Sequence, residues 1–303
     1  MNNSKKKVAI LMSTYNGEKF ISTQLESIIK QENVEINLYI RDDGSCDKTK
    51  EIINEFIIKY PNKIQLLESN NIGFANSFYE LIKLNIDADY YAFSDQDDIW
   101  EKDKLNNAII NINNNLPCLY GSNLKLFDMI EQRNNYLFDK EDISAPNRFK
   151  EYFYMQNPYG CTMVWNKKLH EKLKEYPKPT QMTHDTWVNI IANCTGKLYF
   201  DLSSYINYRI HGNNACGMTP KSNINKLKKY IKVYFIDKKK LNISFTCKYV
   251  MLNFPQKSNK VIKWLSEYDY SFNNYIKSIY NVLIKASIPE KKKILLLMLF
   301  KKL

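Results

Sequence analysis

The stretch SDQDD, residues 94–98, places three carboxylates within four positions, directly behind an apolar run. Asp95 and Asp97 stand one residue apart, so from the end of a strand both side chains can reach toward a common point. Two hard oxygen donors with open coordination positions suit Mg²⁺ or Mn²⁺ held jointly with substrate phosphates. Short D-x-D matches also occur by chance, so the spacing alone leaves a metal site and a chance match equally open.

The third carboxylate, Asp98, has a structural explanation. Acidic residues are favoured at helix N-termini, and Asp98 followed by Glu101 fits a variant of the capping box. We therefore expect Asp98 to begin the next helix, which leaves Asp95 and Asp97 for a ligand.

A second acidic pair lies in RDDGS, residues 41–45. In one interpretation Asp42 and Asp43 simply form a turn with Gly44. In the other, carboxylates at a strand end accept hydrogen bonds from a ribose hydroxyl and a base N–H. Arg41 is expected to pair with an acidic neighbour. The sequence contains no GxGxxG and no GxxxxGKS or GxxxxGKT, which disfavours dinucleotide and P-loop sites.

Apolar strands and amphipathic helices alternate through the first hundred residues and must position these side chains. Strands are predicted over 8–14, 36–42, 64–69 and 89–95, and helices over 18–31, 47–60, 73–84 and 101–113. A period of about 28 residues is typical of βαβ units and predicts an α/β fold with a mainly parallel, doubly wound sheet. Ligands bind beyond the carboxyl ends of such strands, where the clusters STYNG, DDGSCD, SNNIGF and SDQDD all fall. Four polar clusters on one rim predict a binding site.

The pattern beyond residue 116 is less regular. Strands are predicted over 119–127, 159–166 and 197–210, a helix over 184–194, and helices rich in Lys and Tyr from residue 221 onward. We expect an α/β domain over residues 1–220 and a basic helical region over residues 221–303.

Composition narrows the class of protein. The 303 residues are 44% hydrophobic and 25% charged, as in an ordinary globular protein. The six cysteines include no CxxC pair, so a disulfide framework or zinc site is disfavoured and a reducing cytoplasm fits better. We expect no signal peptide, and no apolar run approaches the ~18–20 residues that would span a bilayer.

The ordered set STYNG, DDGSCD, NNIGFANS, SDQDDIW and MTHDTW resembles the family 2, GT-A-fold glycosyltransferases. The similarity covers roughly residues 6–215 and is greatest to the rhamnosyltransferase-like branch that makes bacterial surface polysaccharides. The resemblance implies an inverting transfer from a nucleotide-diphospho-sugar donor to a glycan or polyprenyl-linked glycan acceptor. The products would be capsule, O-antigen or cell-wall polysaccharide.

The resemblance also assigns roles by position. It implies a nucleotide site formed by Thr14, Tyr15, Asp42, Asp43, Ser94 and Asp95. It implies that Asp95 and Asp97 bind the metal, Mg²⁺ or Mn²⁺, and that Arg209 and His211 in YRIHGNN approach the metal or the diphosphate. Asp185 matches the position of the catalytic base, and Gly160 is placed near the acceptor channel.

The chemistry of such a transfer agrees with these residue types. A nucleotide diphosphate leaving an anomeric carbon develops negative charge, which a divalent cation neutralises. The acceptor hydroxyl attacks from the opposite face and loses a proton to a positioned carboxylate. His184, beside Asp185, is a rival base or an assisting group, and its side chain could equally be structural.

Other aromatic and reactive side chains have two interpretations. Trp100 and Trp187 are core residues by default, although tryptophan faces also stack on sugars, and we predict them to contact the acceptor. Cys161 is not expected to be a nucleophile, because an inverting transfer needs no covalent intermediate.

The sequence leaves alternatives open for the sugar donor and for the class of protein. The favoured donor is dTDP-L-rhamnose, with a UDP-hexose or UDP-N-acetylhexosamine as the competitor, and this choice rests on the resemblance. A nucleotidyltransferase would also use paired carboxylates and a metal, but STYNG offers it no basic phosphate-gripping loop. A receiver-type or non-catalytic scaffold module is a remoter alternative.

The basicity of the chain belongs to its last quarter. Residues 221–303 hold 19 lysines, no arginine and four acidic residues, a net charge of +15, while residues 1–220 carry −3. The final EKKKILLLMLFKKL brackets seven apolar residues with cations, which suits a helix lying in a membrane interface. We predict attachment of residues 221–303 to an anionic membrane surface, the inner face of the plasma membrane. Nucleic acid is not expected to be a partner, because arginine and recognition motifs are absent from the basic region.

Overall fold

The structure is a computed structural model that describes residues 5–128, 134–138, 145–151, 153–154, 156–211 and 243–267. The chain divides into two compact units, Met1–His211 and Gly212–Leu303. The domain boundary expected near residue 220 falls outside the described residues.

The first half of the first unit has the predicted alternation of strands and helices. Its elements are β1 (Lys6–Thr14), α1 (Ile21–Ile29), β2 (Val34–Asp42), α2 (Thr49–Lys59), β3 (Ile64–Glu68), α3 (Phe74–Lys83) and β4 (Tyr90–Ser94). The central strand β1 has residues 8–12 fully buried, because both faces of a parallel sheet are covered by helices. This is why these strands appear in the sequence as continuous apolar runs.

The second half of the first unit is more irregular. It contains β5 (Ile99–Trp100), α4 (Lys104–Asn111), β6 (Cys118–Asp128), β7 (Asn134–Tyr136), α5 (Ala145–Glu151), β8 (Val164–Asn166), α6 (Lys167–Glu175), α7 (His184–Thr195) and β9 (Lys197–Ile210). The strand expected over 159–166 is shorter than predicted, because Gly160–Thr162 forms a 3₁₀ turn and only the last three residues pair with the sheet. Helix α6 begins where the Asn166 side chain accepts a hydrogen bond from the Leu169 amide at 3.0 Å.

The described strands form one sheet in the order β3-β2-β1-β4-β8-β6-β9-β5, with β7 paired to β6. The pairs among β1, β2, β3 and β4 are parallel, whereas β8 runs antiparallel to both β4 and β6. The predicted α/β fold is confirmed, and the sheet is mixed beyond β4.

The register brings the carboxyl ends of the first four strands to one level. Thr14 lies opposite Asp42, Asp42 opposite Glu68, and Met12 opposite Ser94. The polar clusters that follow these strands therefore share one rim, as the alternation predicts.

In the second unit the described residues form α8 (Ile243–Asn253), a 3₁₀ turn (Pro255–Lys257) and α9 (Lys260–Ser266). The Asn259 side chain caps α9 by accepting from the Val261 and Ile262 amides, each at 2.9 Å. Of the region expected to be helical from residue 221 onward, residues 221–242 and 268–303 lie outside the described residues. Among the helices that the structure describes, none is long and apolar enough to cross a membrane.

Candidate active site

The loop after β4 holds the predicted metal ligands. Asp95 follows the last residue of the strand, and Asp97 Oδ2 lies 2.8 Å from His211 Nε2 just past the end of β9. The Asp97 and His211 side chains are each 17% exposed. The structure therefore brings together Asp97 and a histidine that lies more than a hundred residues away in the chain.

The carboxylates of this loop are crowded. Burial, together with the charges of Asp97 and Asp185, raises the pKa of Asp95 to about 7. Unneutralised carboxylates in a partly buried site are what a divalent cation stabilises, and carboxylate oxygens with an imidazole form a suitable donor set for Mn²⁺ or Mg²⁺. The Asp-rich loop, with His211 against Asp97, thus offers a donor set that could hold a divalent cation.

Asp98 does not begin the next helix, which corrects the sequence-based expectation. Its side chain is fully buried, β5 follows directly, and α4 starts only at Lys104. Ligand atoms of Asp98, Asp95 and Cys161 lie within 4.8 Å of one another. Burial and the charges of Asp95 and Asp97 raise the pKa of Asp98 well above its usual range. Asp98 is therefore an interior member of the acidic cluster.

A buried lysine, Lys104, lies near the cluster and interacts electrostatically with Asp98 and Cys161. The Lys104 ammonium is 1% exposed and lies 3.7 Å from the centroid of the Trp100 ring. Burial lowers the pKa of Lys104 to about 7, while the charges of Cys161 and Asp98 oppose that shift. A positive charge over an indole face is stabilised by the ring quadrupole.

Phe20 supports the residues at the end of β9. Its ring stacks on His211 with centroids 4.7 Å apart, and the Arg209 guanidinium carbon lies 5.3 Å from the Phe20 centroid. Both residues predicted to approach the diphosphate thus lie beside the Asp95–Asp97 loop, on one aromatic support.

The predicted nucleotide-binding aspartate Asp42 is buried and fully hydrogen-bonded within the protein. Its Oδ2 accepts from the Thr14 hydroxyl at 2.8 Å and from the Ser45 hydroxyl at 2.6 Å. Its Oδ1 accepts from the Ser45 and Gly44 amides at 2.8 and 3.2 Å. Gly44 adopts a φ of 87°, which favours glycine. Asp42 and Thr14 therefore build the rim and shape the loop that follows.

Asp43 anchors the neighbouring loop. It pairs with Arg41, as the sequence predicts, and its carboxylate accepts from the Ile72 and Gly73 amides. The second guanidinium nitrogen of Arg41 donates to the Asn70 carbonyl at 3.2 Å. The loop between β3 and α3 is thus fixed to the end of β2.

Tyr15 and Ser94, the other predicted nucleotide contacts, differ in exposure. Ser94 is fully buried at the end of β4, whereas Tyr15 is 48% exposed on the rim. The Gln96 side-chain amide makes two hydrogen bonds to the Tyr15 backbone: it accepts from the Tyr15 N–H at 3.0 Å and donates to the Tyr15 carbonyl at 3.1 Å. Gln96, the residue between Asp95 and Asp97, thus connects their loop to the residue that carries an exposed aromatic ring.

Asp185 lies in the first turn of α7, and three donors hold its carboxylate. Oδ1 accepts from the Thr183 hydroxyl and from the Thr186 amide at 2.8 Å, and Oδ2 accepts from the Asn157 amide at 3.0 Å. A Cβ added to Gly160 would lie 3.6 Å from the Asp185 Cβ. Asp185 therefore stands near Gly160, and its charge acts on Asp95.

His184 is held among aromatic rings. It is 5% exposed, stacks on Phe78 with centroids 4.2 Å apart, and meets Phe74 and Phe93 edge-on. Burial lowers the pKa of His184 to about 4. A neutral imidazole packed on all sides is a poor proton acceptor, so the geometry favours Asp185 over His184 as the base.

The two tryptophans lie in the core. Trp100 is 3% exposed beneath Lys104, and Trp187 is fully buried with its indole N–H donating to the Tyr176 carbonyl at 2.9 Å. A covered ring cannot stack on a sugar, and this corrects the expectation that they contact the acceptor. Phe74, which the sequence analysis did not single out, is 49% exposed and adjoins His184.

Comparison with known proteins assigns the chain to a family. The sequence profile "Glycosyl transferase family 2" matches residues 9–182, more than half of the chain. A dTDP-rhamnosyl transferase of Shigella flexneri is 38% identical over 219 residues, which cover 68% of this chain and 73% of the relative. The chain belongs to glycosyl transferase family 2. It is a glycosyltransferase, and the predicted family and enzyme class are confirmed.

More distant relatives and solved structures agree with this assignment. A glycosyltransferase of Rickettsia typhi is 25% identical, over 74% of this chain and 69% of its own. The structure of Staphylococcus aureus TarS with UDP-GlcNAc has a TM-score of 0.56 at 17% identity, and the match covers 93% of this chain and 76% of that one. The mannosyltransferase PcManGT from Pyrobaculum calidifontis, solved with GDP-Man and Mn²⁺, has a TM-score of 0.55 at 12% identity, covering 98% and 85%. At these identities the structures support the GT-A fold.

Proposed function

We propose that this family 2 enzyme is an inverting, divalent-metal-dependent glycosyltransferase that uses dTDP-L-rhamnose to extend a bacterial surface glycan. The donor assignment is supported by the 38% identity to a protein named as a dTDP-rhamnosyl transferase. The observation that carries the mechanism is the rim itself, where Asp97, His211 and the half-buried Asp95 lie beside a base that is electrostatically coupled to them.

One group of residues is proposed to bind the donor, and a second group is proposed to act on the acceptor. The exposed Tyr15 ring, set on the rim built by Thr14, Asp42, Asp43 and Ser94, would receive the nucleobase. Asp95, Asp97 and His211 would hold the cation, which supplies charge neutralisation for the leaving diphosphate, and Arg209 would contact that diphosphate.

Asp185 removes the acceptor proton. As the acceptor oxygen bonds to the anomeric carbon, the bond from that carbon to the diphosphate oxygen breaks and the hydroxyl proton passes to Asp185. One displacement inverts the anomeric centre and releases dTDP. The neutral His184 packs among Phe74, Phe78 and Phe93, and the exposed Phe74 offers an apolar face to an acceptor sugar.

The acceptor is proposed to be a glycan or polyprenyl-linked glycan presented at the inner face of the plasma membrane. The net charge of +15 over residues 221–303 favours an anionic surface, because each lysine near such a surface contributes roughly 1 kcal/mol of attraction.

Donor binding tests the proposal. In titration calorimetry with Mn²⁺ present, we expect dTDP-L-rhamnose to bind more tightly than UDP-glucose, UDP-N-acetylglucosamine or GDP-mannose. Tighter binding of a UDP-sugar would change the proposed donor and leave the proposed mechanism unchanged. If none of the four nucleotide-sugars binds in the presence of metal, the proposed function fails.

A further inference from the structure

Asn157 lies in the irregular segment before the 3₁₀ turn at Gly160 and faces the first turn of α7. Its amide nitrogen donates to Asp185 Oδ2 at 3.0 Å and to the Pro158 carbonyl at 2.9 Å. A carbonyl oxygen can only accept, so the Pro158 contact fixes which end of the Asn157 amide carries the donors. The hydrogen bond to Asp185 is therefore donated by Asn157.

The other end of the Asn157 amide is also occupied. Its oxygen accepts from the Thr186 hydroxyl at 3.2 Å, and the Thr186 backbone amide donates to Asp185 Oδ1 at 2.8 Å. Asn157, Thr186 and Asp185 thus form a closed ring of hydrogen bonds that spans two segments of the chain. The ring fixes the rotation of the Asp185 carboxylate about its own side chain.

The ring also distinguishes the two carboxylate oxygens of Asp185. Among the described residues, Oδ1 accepts from the Thr183 hydroxyl and the Thr186 amide, whereas Oδ2 accepts from Asn157 alone. A carboxylate oxygen has two lone-pair sites, so Oδ2 keeps one for a further donor. Within the described part of the chain, the titratable groups around this carboxylate are Asp95 and the neutral His184, on which Lys178 acts in turn.

We propose that Asn157 is a positioning residue that orients Asp185 so that its Oδ2 receives the proton of the attacking hydroxyl. The inference rests on the proposed function, since it takes Asp185 as the base. A hydrogen bond to a charged group contributes more than one between neutral groups, and a misplaced base slows the reaction without weakening donor binding.

The test uses the full chain with Mn²⁺, dTDP-L-rhamnose as donor and water as acceptor, and measures release of dTDP. We expect Asn157→Ala to lower kcat about 10- to 100-fold with the donor KM unchanged. Asn157→Asp, which has the same size but sets a carboxylate against Asp185, is expected to lower kcat further and to move the acid limb of the pH profile to higher pH. A packing role predicts the opposite order, because the isosteric variant would then be the milder one.

The matched control is Asn193→Ala on α7, the helix that also holds Asp185. The Asn193 side-chain amide donates to the Asn189 carbonyl at 2.9 Å. This substitution should leave kcat unchanged. Wild-type kcat in Asn157→Ala, or a milder effect of Asn157→Asp, overturns the inference. If Asp185→Asn retains wild-type kcat, Asp185 is not the base, and both the mechanism and the inference fall.

A second measurement keeps the two proposals distinguishable. In denaturant unfolding, the effect of Asn157→Ala on the folding equilibrium constant should be several-fold smaller in an Asp185→Ala background, since the contact is already lost. If the wild type releases no dTDP but this coupling is present, the proposed donor fails and the Asn157 contact stands. Equal effects of Asn157→Ala in the two backgrounds overturn the contact itself.

Discussion

At the residue scale, a cation that binds at Asp95 must compete with a proton. Burial and the neighbouring carboxylates raise the pKa of Asp95 to about 7, so the side chain holds a proton below neutrality that a metal must displace. Calorimetry should give an Mn²⁺ affinity at pH 6 about tenfold below that at pH 8. In Asp185→Asn the affinity should fall off at lower pH than in the wild type, because the Asp185 charge contributes to the shift. An Mn²⁺ affinity that does not change between pH 6 and pH 8 would contradict this account of the site.

Gln96 accounts for the middle position of the D-x-D motif. A Cβ added to Gly17 would lie 2.3 Å from Gln96 Oε1, so Gly17→Ala must displace the amide that grips Tyr15. We expect Gly17→Ala and Gln96→Ala each to weaken dTDP binding about tenfold, the effect of losing two neutral hydrogen bonds.

Because both substitutions remove the hydrogen bonds between Gln96 and the Tyr15 backbone, Gly17→Ala should have little effect on dTDP binding in a Gln96→Ala background. Titration of dTDP into the two single variants and the double variant measures this coupling. Independent, multiplying effects would show that Gln96 does not connect the two loops.

At the scale of elements, α6 is docked to the sheet through a neutral histidine. His170 is 2% exposed and stacks face to face on Tyr91 of β4, with ring centroids 3.7 Å apart. Burial lowers the pKa of His170 to about 3. The unfolded chain protonates this side chain near pH 6.5 and the folded chain does not, so stability is lost as pH falls below 6.5.

Replacing His170 by phenylalanine keeps an aromatic ring at the contact and removes the titration. Between pH 7 and pH 5 the wild type should lose about 2 kcal/mol of unfolding free energy that His170→Phe retains. Urea unfolding at the two pH values measures the difference. The same loss in both proteins would show that His170 is not held neutral in the fold.

Elements with a strong period could be predicted from the sequence, and elements made by distant pairing could not. The strands β1 to β4 were predicted within a few residues because each is a continuous apolar run followed by a polar cluster. The two-residue strand β5 forms only because Ile99 and Trp100 pair with Asn207 and Ile206 of β9. That pairing buries Asp98, which local sequence rules assign to a helix start.

The site shows the same limit. Residues in compact motifs, such as Asp95, Asp97 and Asp185, could be singled out from the sequence, and in the structure the charges of Asp97 and Asp185 act on Asp95. Asn157 was missed because it lies in an irregular segment without periodicity, and only the tertiary fold brings it to Asp185. Trp100 and Trp187 were assigned to the acceptor because the sequence does not reveal how fully a tryptophan is covered.

At the scale of the whole molecule, the separation of charge predicts two tasks, catalysis in the acidic part and membrane attachment in the basic part. Changing Lys291, Lys292 and Lys293 to glutamate in the full chain should lower binding to phosphatidylserine vesicles at least tenfold, since each lysine contributes roughly 1 kcal/mol at an anionic surface. Co-sedimentation at low and physiological salt measures it, with phosphatidylcholine vesicles as the control. Unchanged binding of the variant would locate the attachment elsewhere or exclude it.

The central claim is that the Asp95–Asp97 loop holds a cation on which nucleotide diphosphate binding depends, and Mn²⁺-dependent binding of dTDP tests it most directly. In paired titrations with and without Mn²⁺, we predict that Mn²⁺ strengthens dTDP binding to the wild type and to Asp185→Asn but not to Asp97→Asn. Equal Mn²⁺-dependent strengthening in Asp97→Asn, or none in the wild type, would contradict the claim.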